Sequence, residues 1–338
     1  YVSVCVIPEG REDVAYFVVE RYTPELGWHY ATERMVSRDF GANPAANIPA
    51  RAEDAWCVDN GARYTLTEPN TQILSLQMTA AKQGTLTFAA AAFSSADVGK
   101  IVRVRGGKGT VYQCPAADQL VVDWIDLPVG IPNFSYNADP PNIVLPVIQP
   151  GEWSMTTPVD VIGGLDHLNG ATVQVLVDGS VHRPLVVEDG CITLDETGTR
   201  IVAGLGFTCQ LQTMRLEDAG RGYKTIQGDR KNINDITIRS KDTRGVMFGS
   251  TWTALVPFAE RTTEPMGEPT RLMDGGEPLV PPFVDAPSSS APVFYQDRYS
   301  NVDGDWSTEG QICMQQSWPL PMTILAIVPD LVRGDDAP

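Results

Sequence analysis

Between Gly163 and Leu216 the chain repeats one device, a short apolar run that ends in a turn built from glycine and acidic residues. Ala171–Val177 (ATVQVLV) alternates, so Val173, Val175 and Val177 fall on one face of a strand and Thr172, Gln174 and Leu176 on the other. Asp178-Gly179 follows directly, the dipeptide best suited to a two-residue hairpin whose turn needs positive φ. A return strand is predicted over Val181–Val187, after which Glu188-Asp189-Gly190 turns the chain into Cys191–Leu194. Glu196–Gly198 reads as a further turn leading to Ile201–Ala203, and Phe207–Leu216 as a last strand. Strands this short are not stable as isolated hairpins, so they must close on one another as a small barrel or sandwich.

The same strand-and-turn pattern extends in both directions. Tyr1–Pro8 (YVSVCVIP) alternates, a polar turn follows at Glu9–Asp13, and Val14–Tyr22 and Trp28–Met35 read as second and third strands. Phe40–Ala50, rich in Ala, Asn and Pro, is predicted to be a loop. Residues 65–148 read as an insertion whose core is Gly84–Cys114 and whose place is peripheral. Within it Asp97 suits the cap of a short turn, Gly99 permits positive φ, and Ile101–Val104 suits a strand. Gly106-Gly107-Lys108-Gly109 invites comparison with a phosphate-binding loop, but the spacing, the trailing Ser or Thr and a following helix are missing, so it reads as a hairpin tip. The Pro-rich run Ala138–Pro150 is read as a semi-rigid connector back to the main body.

Beyond the central module, Gly220–Gly228 is predicted to be a turn region, and Lys231–Lys241 a strand with Ile233, Ile236 and Ile238 on its apolar side. Asp242–Gly245 turns the chain into Val246–Gly249. Leu255–Val280, interrupted by Pro265, Pro269 and Pro278, is expected to run extended over a surface, and Pro281–Ser290 to form an exposed loop. Asn301–Glu309 reads as a turn, Gln311–Gln315 as a strand, and Trp318–Pro329 as a buried strand flanked by prolines.

With 338 residues, 43% of them hydrophobic, the chain can bury two or three separate cores. Its net charge of -17 excludes a protein that grips nucleic acid, because phosphate binding needs clustered Lys and Arg. The same charge is compatible with a wall that DNA slides past, and solubility accounts for it equally well. No signal peptide and no apolar run suited to crossing a bilayer is read, and a first residue other than Met suggests a piece of something longer. Cys5, Cys57, Cys114, Cys191, Cys209 and Cys313 are scattered, without CxxC pairs or a His at ligand spacing. They are expected to be small buried hydrophobes in a reducing cytoplasm, with neither a metal nor a disulfide framework.

Asp303 and Asp305 in VDGDW have the composition of a carboxylate pair for sugar hydrolysis or of part of a Ca²⁺ loop, although residues two apart in a turn more simply solvate it. His29, His167 and His182 fall into no Ser/His/Asp order and no HxxxH pattern; His167 is expected to fix the start of the first strand of its module. Trp28, Trp56, Trp306 and Trp318 suit either sugar stacking or core packing. No combination amounts to a catalytic set, so the expectation is a protein that is not an enzyme, with no catalytic, cofactor-binding or metal-binding residues.

Four pieces, LDHLNG, VQVLVDGSVH, ITLD and VAGLGFTCQLQTMRLE, resemble in order and spacing a module of the tail nozzle proteins of short-tailed bacteriophages, also called tail tubular protein B or tail stabilisation proteins. INDITIRSKDTRGVMFG and the sequence of a DxxW turn, a Gln-rich strand, PLP and an apolar strand resemble the nozzle C-terminus. The first strands, followed by Trp56–Tyr64 (WCVDNGARY), resemble a propeller-type blade of that family, though a sandwich would give the same local pattern. The segment around Phe93–Val104 is similar to small β modules inserted in phage tail proteins, of the kind compared with a β domain of ubiquitin-activating enzymes. The resemblance covers most of residues 1–64 and 156–331.

The expected fold is therefore mainly β, with several small modules joined by long loops: blade-like strands over 1–75, an inserted module and Pro-rich connector over 76–150, a small barrel or sandwich over 151–230, and C-terminal strands and extended loops over 231–338. The resemblance implies a structural virion protein made in the host cytoplasm, a homohexameric ring below the adaptor and portal. Viral DNA would pass through it without sequence-specific binding, and other tail proteins or fibres and the host envelope would be its neighbours. An alternative is a carbohydrate-binding or carbohydrate-degrading tail protein acting on the host envelope.

Overall fold

The structure is a computed structural model and describes residues 2–9, 12–37, 51–65, 72–90, 92–131, 144–217, 228–257, 273–274 and 306–333. It is mainly β: these residues contain twenty-three strands and short 3-10 turns, and no α-helix among the described residues. The loops expected at 40–50 and 281–290 lie outside the described residues, as does most of 220–228 and 255–280.

Strands β1 (Ser3–Glu9), β2 (Glu12–Thr23) and β3 (Gly27–Arg34) form an antiparallel meander in that order. The next strand, β4 (Asp59–Tyr64), does not join them. It pairs with a strand far along the chain in the central module, where Gly61 and Gly204 let two backbones press together: a Cβ on Gly204 would stand 2.7 Å from the Gly61 Cα.

The inserted segment folds as a seven-stranded sheet: β5 (Leu74–Ala80), β6 (Gln83–Phe88), β7 (Ile101–Val104), β8 (Gly107–Ala116), β9 (Gln119–Asp126), β10 (Val144–Ile148) and β11 (Trp153–Thr156), in the order β10-β5-β6-β9-β8-β7-β11. A tight turn at 149–152 joins the two outermost strands, and the Trp153 indole donates to the Gln72 carbonyl at 2.9 Å, so the sheet is nearly closed. Alternate residues of every long strand, among them Leu76, Leu86, Val102, Leu120 and Val122, fill one core. The Pro-rich run read as a connector is corrected: Val144–Ile148 is a strand, because its apolar residues complete that core at the sheet edge, where a proline is tolerated. The sheet starts at Leu74, inside the expected insertion, and runs past its expected end to Thr156.

The Asp97 and Gly99 expectations hold. Ser94 and Asp97 cap the turn reciprocally, and Gly99 has φ of 89°. The glycine-rich run is a hairpin, with Arg105 and Gly106 at positive φ in its tip and Gly107, Lys108 and Gly109 inside β8. Gly107 permits close packing, since a Cβ there would lie 2.5 Å from the Pro128 backbone nitrogen. Gly107→Ala is expected to destabilise the protein by about 1–3 kcal/mol, read as a lowered denaturant midpoint with an unchanged slope.

The central module is a sandwich of β12 (Val159–Ile162) and β15 (Ile192–Gly198) against β14-β13-β16-β4, where β13 is Thr172–Val177, β14 Ser180–Val186 and β16 Ile201–Leu205. Val173, Val175 and Val177 face the sandwich core as expected, and Asp178-Gly179 forms the turn with both residues at positive φ. Two details are corrected. Glu196–Gly198 belongs to β15, and the turn falls at Thr199-Arg200, whose backbone N–H groups bond the Asp178 carboxylate. The last strand, β17 (Cys209–Gln212), leaves the module to pair with β22 (Cys313–Gln316). Leu176, on the other face of β13, packs with Ala52, Ala55, Val58, Val202 and Leu320, so this sheet is covered on both sides.

The C-terminal region is a second sandwich. β17, β22, β19 (Met247–Gly249) and β20 (Val256–Pro257) form one sheet, and β18 (Lys231–Thr243), β23 (Ile324–Arg333) and the short β21 (Met273–Asp274) another. Ile233, Ile236 and Ile238 all enter its core although 233 and 236 differ in strand phase; a register shift between Ile233 and Asp235 restores the phase. The strand expected at Trp318–Pro329 begins only at Ile324 and is not wholly buried, since Leu325 and Val328 are exposed.

Candidate functional site

Two arrangements stand out from the background of packed strands, and neither has the layout of a catalytic centre. The first is a buried ionic junction. On β7 the alternation that sends Val102 and Val104 into the barrel core places Arg103 outside it, directly opposite Lys108 on β8. Two cations facing each other across strands repel unless anions lie between them. Those anions come from elsewhere: Glu53, in the 3-10 turn Ala52–Asp54, and Asp178, in the β13–β14 turn.

The Glu53 side chain has no exposed surface, and its two oxygens accept from Arg103 Nε at 3.2 Å and Nη2 at 2.9 Å. Arg200 Nη1 lies 3.2 Å from Glu53, Arg51 at 3.6 Å and Lys108 Nζ at 3.7 Å. Arg103 Nη2 also donates to Thr199 Oγ1 at 2.9 Å, and Lys108 Nζ sits 3.5 Å from Asp178. Asp54 pairs with Arg200, and Arg63 caps the Asp54 carbonyl at 2.6 Å while stacking over Trp56. The inserted barrel is thus bolted to the central module by the charges on its outer wall.

Burial alone would push the Glu53 carboxyl up, but Arg103, Arg200 and Lys108 outweigh it and hold it at about 2. Burial pushes the neighbouring Asp54 carboxyl the other way, upward. Because the Glu53 value in the folded protein lies below its unfolded value, its contribution is complete above about pH 4.5 and is lost as pH falls toward 2. Asp54, with its value raised, partly offsets that loss on acidification. Thermal unfolding between pH 6 and 2 should show wild type losing about 3 kcal/mol that a Glu53→Gln variant does not lose. Parallel pH profiles for the two proteins would contradict the assignment.

The second arrangement is the β1–β3 sheet. It is held to the body at one corner, where Arg21 bridges Glu33 at 2.7 Å and Asp59 at 2.9 Å and Pro24 lies against Gly170. The opposite edge strand, β1, has every residue exposed. Val2, Val4 and Val6 are 60%, 60% and 62% exposed on one face, while Ile7, Tyr22, Trp28 and Tyr30 are exposed on the other. The Tyr22 and Trp28 rings meet edge to face at 5.7 Å.

The residues singled out in the sequence are not brought together. Asp303 and Asp305 lie outside the described residues. His29 Nδ1 sits 3.1 Å from the Gly27 carbonyl, and His167 Nε2 2.8 Å from that of Asn60, which ties the turn before β13 to β4. His182 is buried; its Nε2 lies 3.1 Å from the Asp195 backbone nitrogen and 3.2 Å from the Asp195 carboxylate, and its Nδ1 2.8 Å from the Arg183 carbonyl. Trp28 stands at the exposed face, Trp56 and Trp318 pack beside the Leu176 cluster, and Trp306 is partly exposed. No disulfide joins the cysteines; Cys313 is buried, Cys5 exposed and the other four half-buried, so they are not uniformly the buried hydrophobes expected.

Sequence reasoning missed the ionic junction. Glu53 lies 50 positions from Arg103 and 147 from Arg200, and no spacing rule joins them. The available signal was Arg103 and Lys108, one basic residue in each of two strands whose neighbouring positions are apolar or glycine. Among the described residues no group of three or more His, Cys, Asp or Glu is placed to hold a metal ion, and no helix is long and apolar enough to cross a membrane. The sequence matches no family model and no curated protein.

Proposed function

We propose that this chain is a structural subunit of a homo-oligomeric ring, the tail nozzle of a short-tailed phage, through which viral DNA leaves the virion. The observation that carries the reading is the β1–β3 sheet, which exposes apolar side chains on both faces and in which β1 pairs, among the described residues, with β2 alone. Val19 and Thr23 are buried near the corner contact, but the rest of the sheet leaves apolar side chains exposed on both faces, which a partner surface would cover. A ring of identical copies supplies one, since each subunit offers the same sheet to its neighbour's body. The net charge of -17 favours a lumen that repels phosphates, so that DNA moves without pausing. The adaptor ring above and the host envelope below are the remaining partners of this reading, which assigns the chain no catalytic role.

Mass and symmetry, by light scattering and negative-stain imaging, test it. Six-fold rings with a central hole are expected; a monomer that stays monomeric with the adaptor ring present would refute it. A second reading, a carbohydrate-binding tail protein, is favoured by one observation, the exposed Tyr22–Trp28–Tyr30 face. A persistent trimer that binds or cleaves envelope polysaccharide would select it.

A further inference from the structure

Lys231 opens β18 and is only 1% exposed, yet no carboxylate among the described residues pairs with it. Its backbone is locked by reciprocal bonds with Ser307 at 2.8 and 2.9 Å. Its ammonium makes one long hydrogen bond, 3.4 Å to the Thr308 carbonyl, and no ion pair within 4.0 Å among the described residues. An ammonium has three protons to donate, and burying it with the others unmatched is strongly unfavourable. Glu309, which lines the same cavity as Lys231, is neutralised by Arg215, which binds both its oxygens.

Lys231 lines a cavity of about 430 Å³, within the range of small-molecule sites. The floor is buried and mostly apolar, formed by Lys231, Ile233 and Cys313. Around the rim stand Gln212, Gln311 and Trp252. The two glutamines are oriented by each other, Gln212 Nε2 donating to Gln311 Oε1 at 3.3 Å, while Gln311 Nε2 donates to the Thr213 carbonyl at 3.1 Å. A buried cation below, amides at the side and an indole at the mouth together suit a small anion carried on a hydroxylated ring: the charge answers Lys231, the hydroxyls the amides, and the ring face the indole.

We propose that this cavity binds an anionic monosaccharide, a sugar carboxylate or sugar phosphate, with its anionic group on Lys231. The proposal does not depend on the ring reading, because none of these residues belongs to the β1–β3 sheet.

Calorimetric titration of the full chain with glucuronate, glucose 6-phosphate, glucose and inorganic phosphate tests it. At least one sugar anion should bind saturably at millimolar or lower concentration, and glucose should bind about tenfold or more weakly. Glucuronate alone would identify the carboxylate source, and glucose 6-phosphate alone the phosphate source. Lys231→Met should weaken that binding about tenfold or more, and Trp252→Ala, in a partly exposed rim position, about fivefold. Circular dichroism of each variant establishes its folding; should Lys231→Met unfold, Trp252→Ala decides. No binding of either sugar anion, undiminished binding in the folded variants, or inorganic phosphate bound as tightly as glucose 6-phosphate would overturn the proposal.

Discussion

Glu53→Gln is expected to destabilise the folded chain by about 3–5 kcal/mol at neutral pH, a loss in the range seen when one partner of a buried ion pair is removed. The side chain keeps its volume, so the effect is electrostatic. Arg103, 8% exposed, and Lys108, 7% exposed, would be left side by side on the barrel wall with Asp178 as their nearest anion. Charges of one sign brought together in a poorly solvated place are what the wild-type carboxylate neutralises. Glu53→Gln combined with Arg103→Met should cost less than the sum of the single changes, with a coupling of about 1–3 kcal/mol, because the second substitution removes a charge that the first has orphaned. Equilibrium denaturation gives the values. A loss below about 1 kcal/mol for Glu53→Gln would mean that water reaches the junction and screens it.

The same junction explains the limits of reading this sequence. Local order was legible because it is local. The Asp178-Gly179 turn, the alternation of Val173, Val175 and Val177, and the cap around Asp97 each follow from residues within a few positions of one another. What escaped was every pairing that depends on distant chain. Asp59–Tyr64 has the composition of a strand but not the address of its partner, Ile201–Leu205, and only the facing glycines 61 and 204 hint at a close approach. Val144–Ile148 carries a proline, which argued for a connector until the barrel edge gave it a place. Glu53 appeared as one acidic residue among many in a chain of net charge -17. Its isolation from water is a property of the barrel and the central module meeting around the Ala52–Asp54 turn, which no window of sequence contains. The buried Lys231 escaped for the same reason.

Val4→Lys combined with Val6→Lys is expected to abolish self-association while leaving the subunit folded. Both side chains are about three-fifths exposed, so replacing them should change subunit stability by no more than about 0.5 kcal/mol each. Their effect on assembly should be far larger. β1 is an edge strand with no second strand beside it among the described residues and with its residues exposed on both faces, the arrangement that templates pairing with another chain. Lysines on such an edge are a known block to that pairing, and they also put charge where an apolar contact would be buried. If each valine contributes at the level of a central interface residue, about 2 kcal/mol, the pair weakens association by about a thousandfold. Trp28→Ala on the opposite face separates the two uses of the sheet. It should weaken rings if that face is also covered by a neighbour, and leave rings intact but reduce polysaccharide binding if the aromatics face the host. Sedimentation of the double variant provides the decisive comparison. Folded monomers would place the subunit contact on β1, whereas undiminished rings would move it elsewhere and leave the exposed valines without a role in assembly.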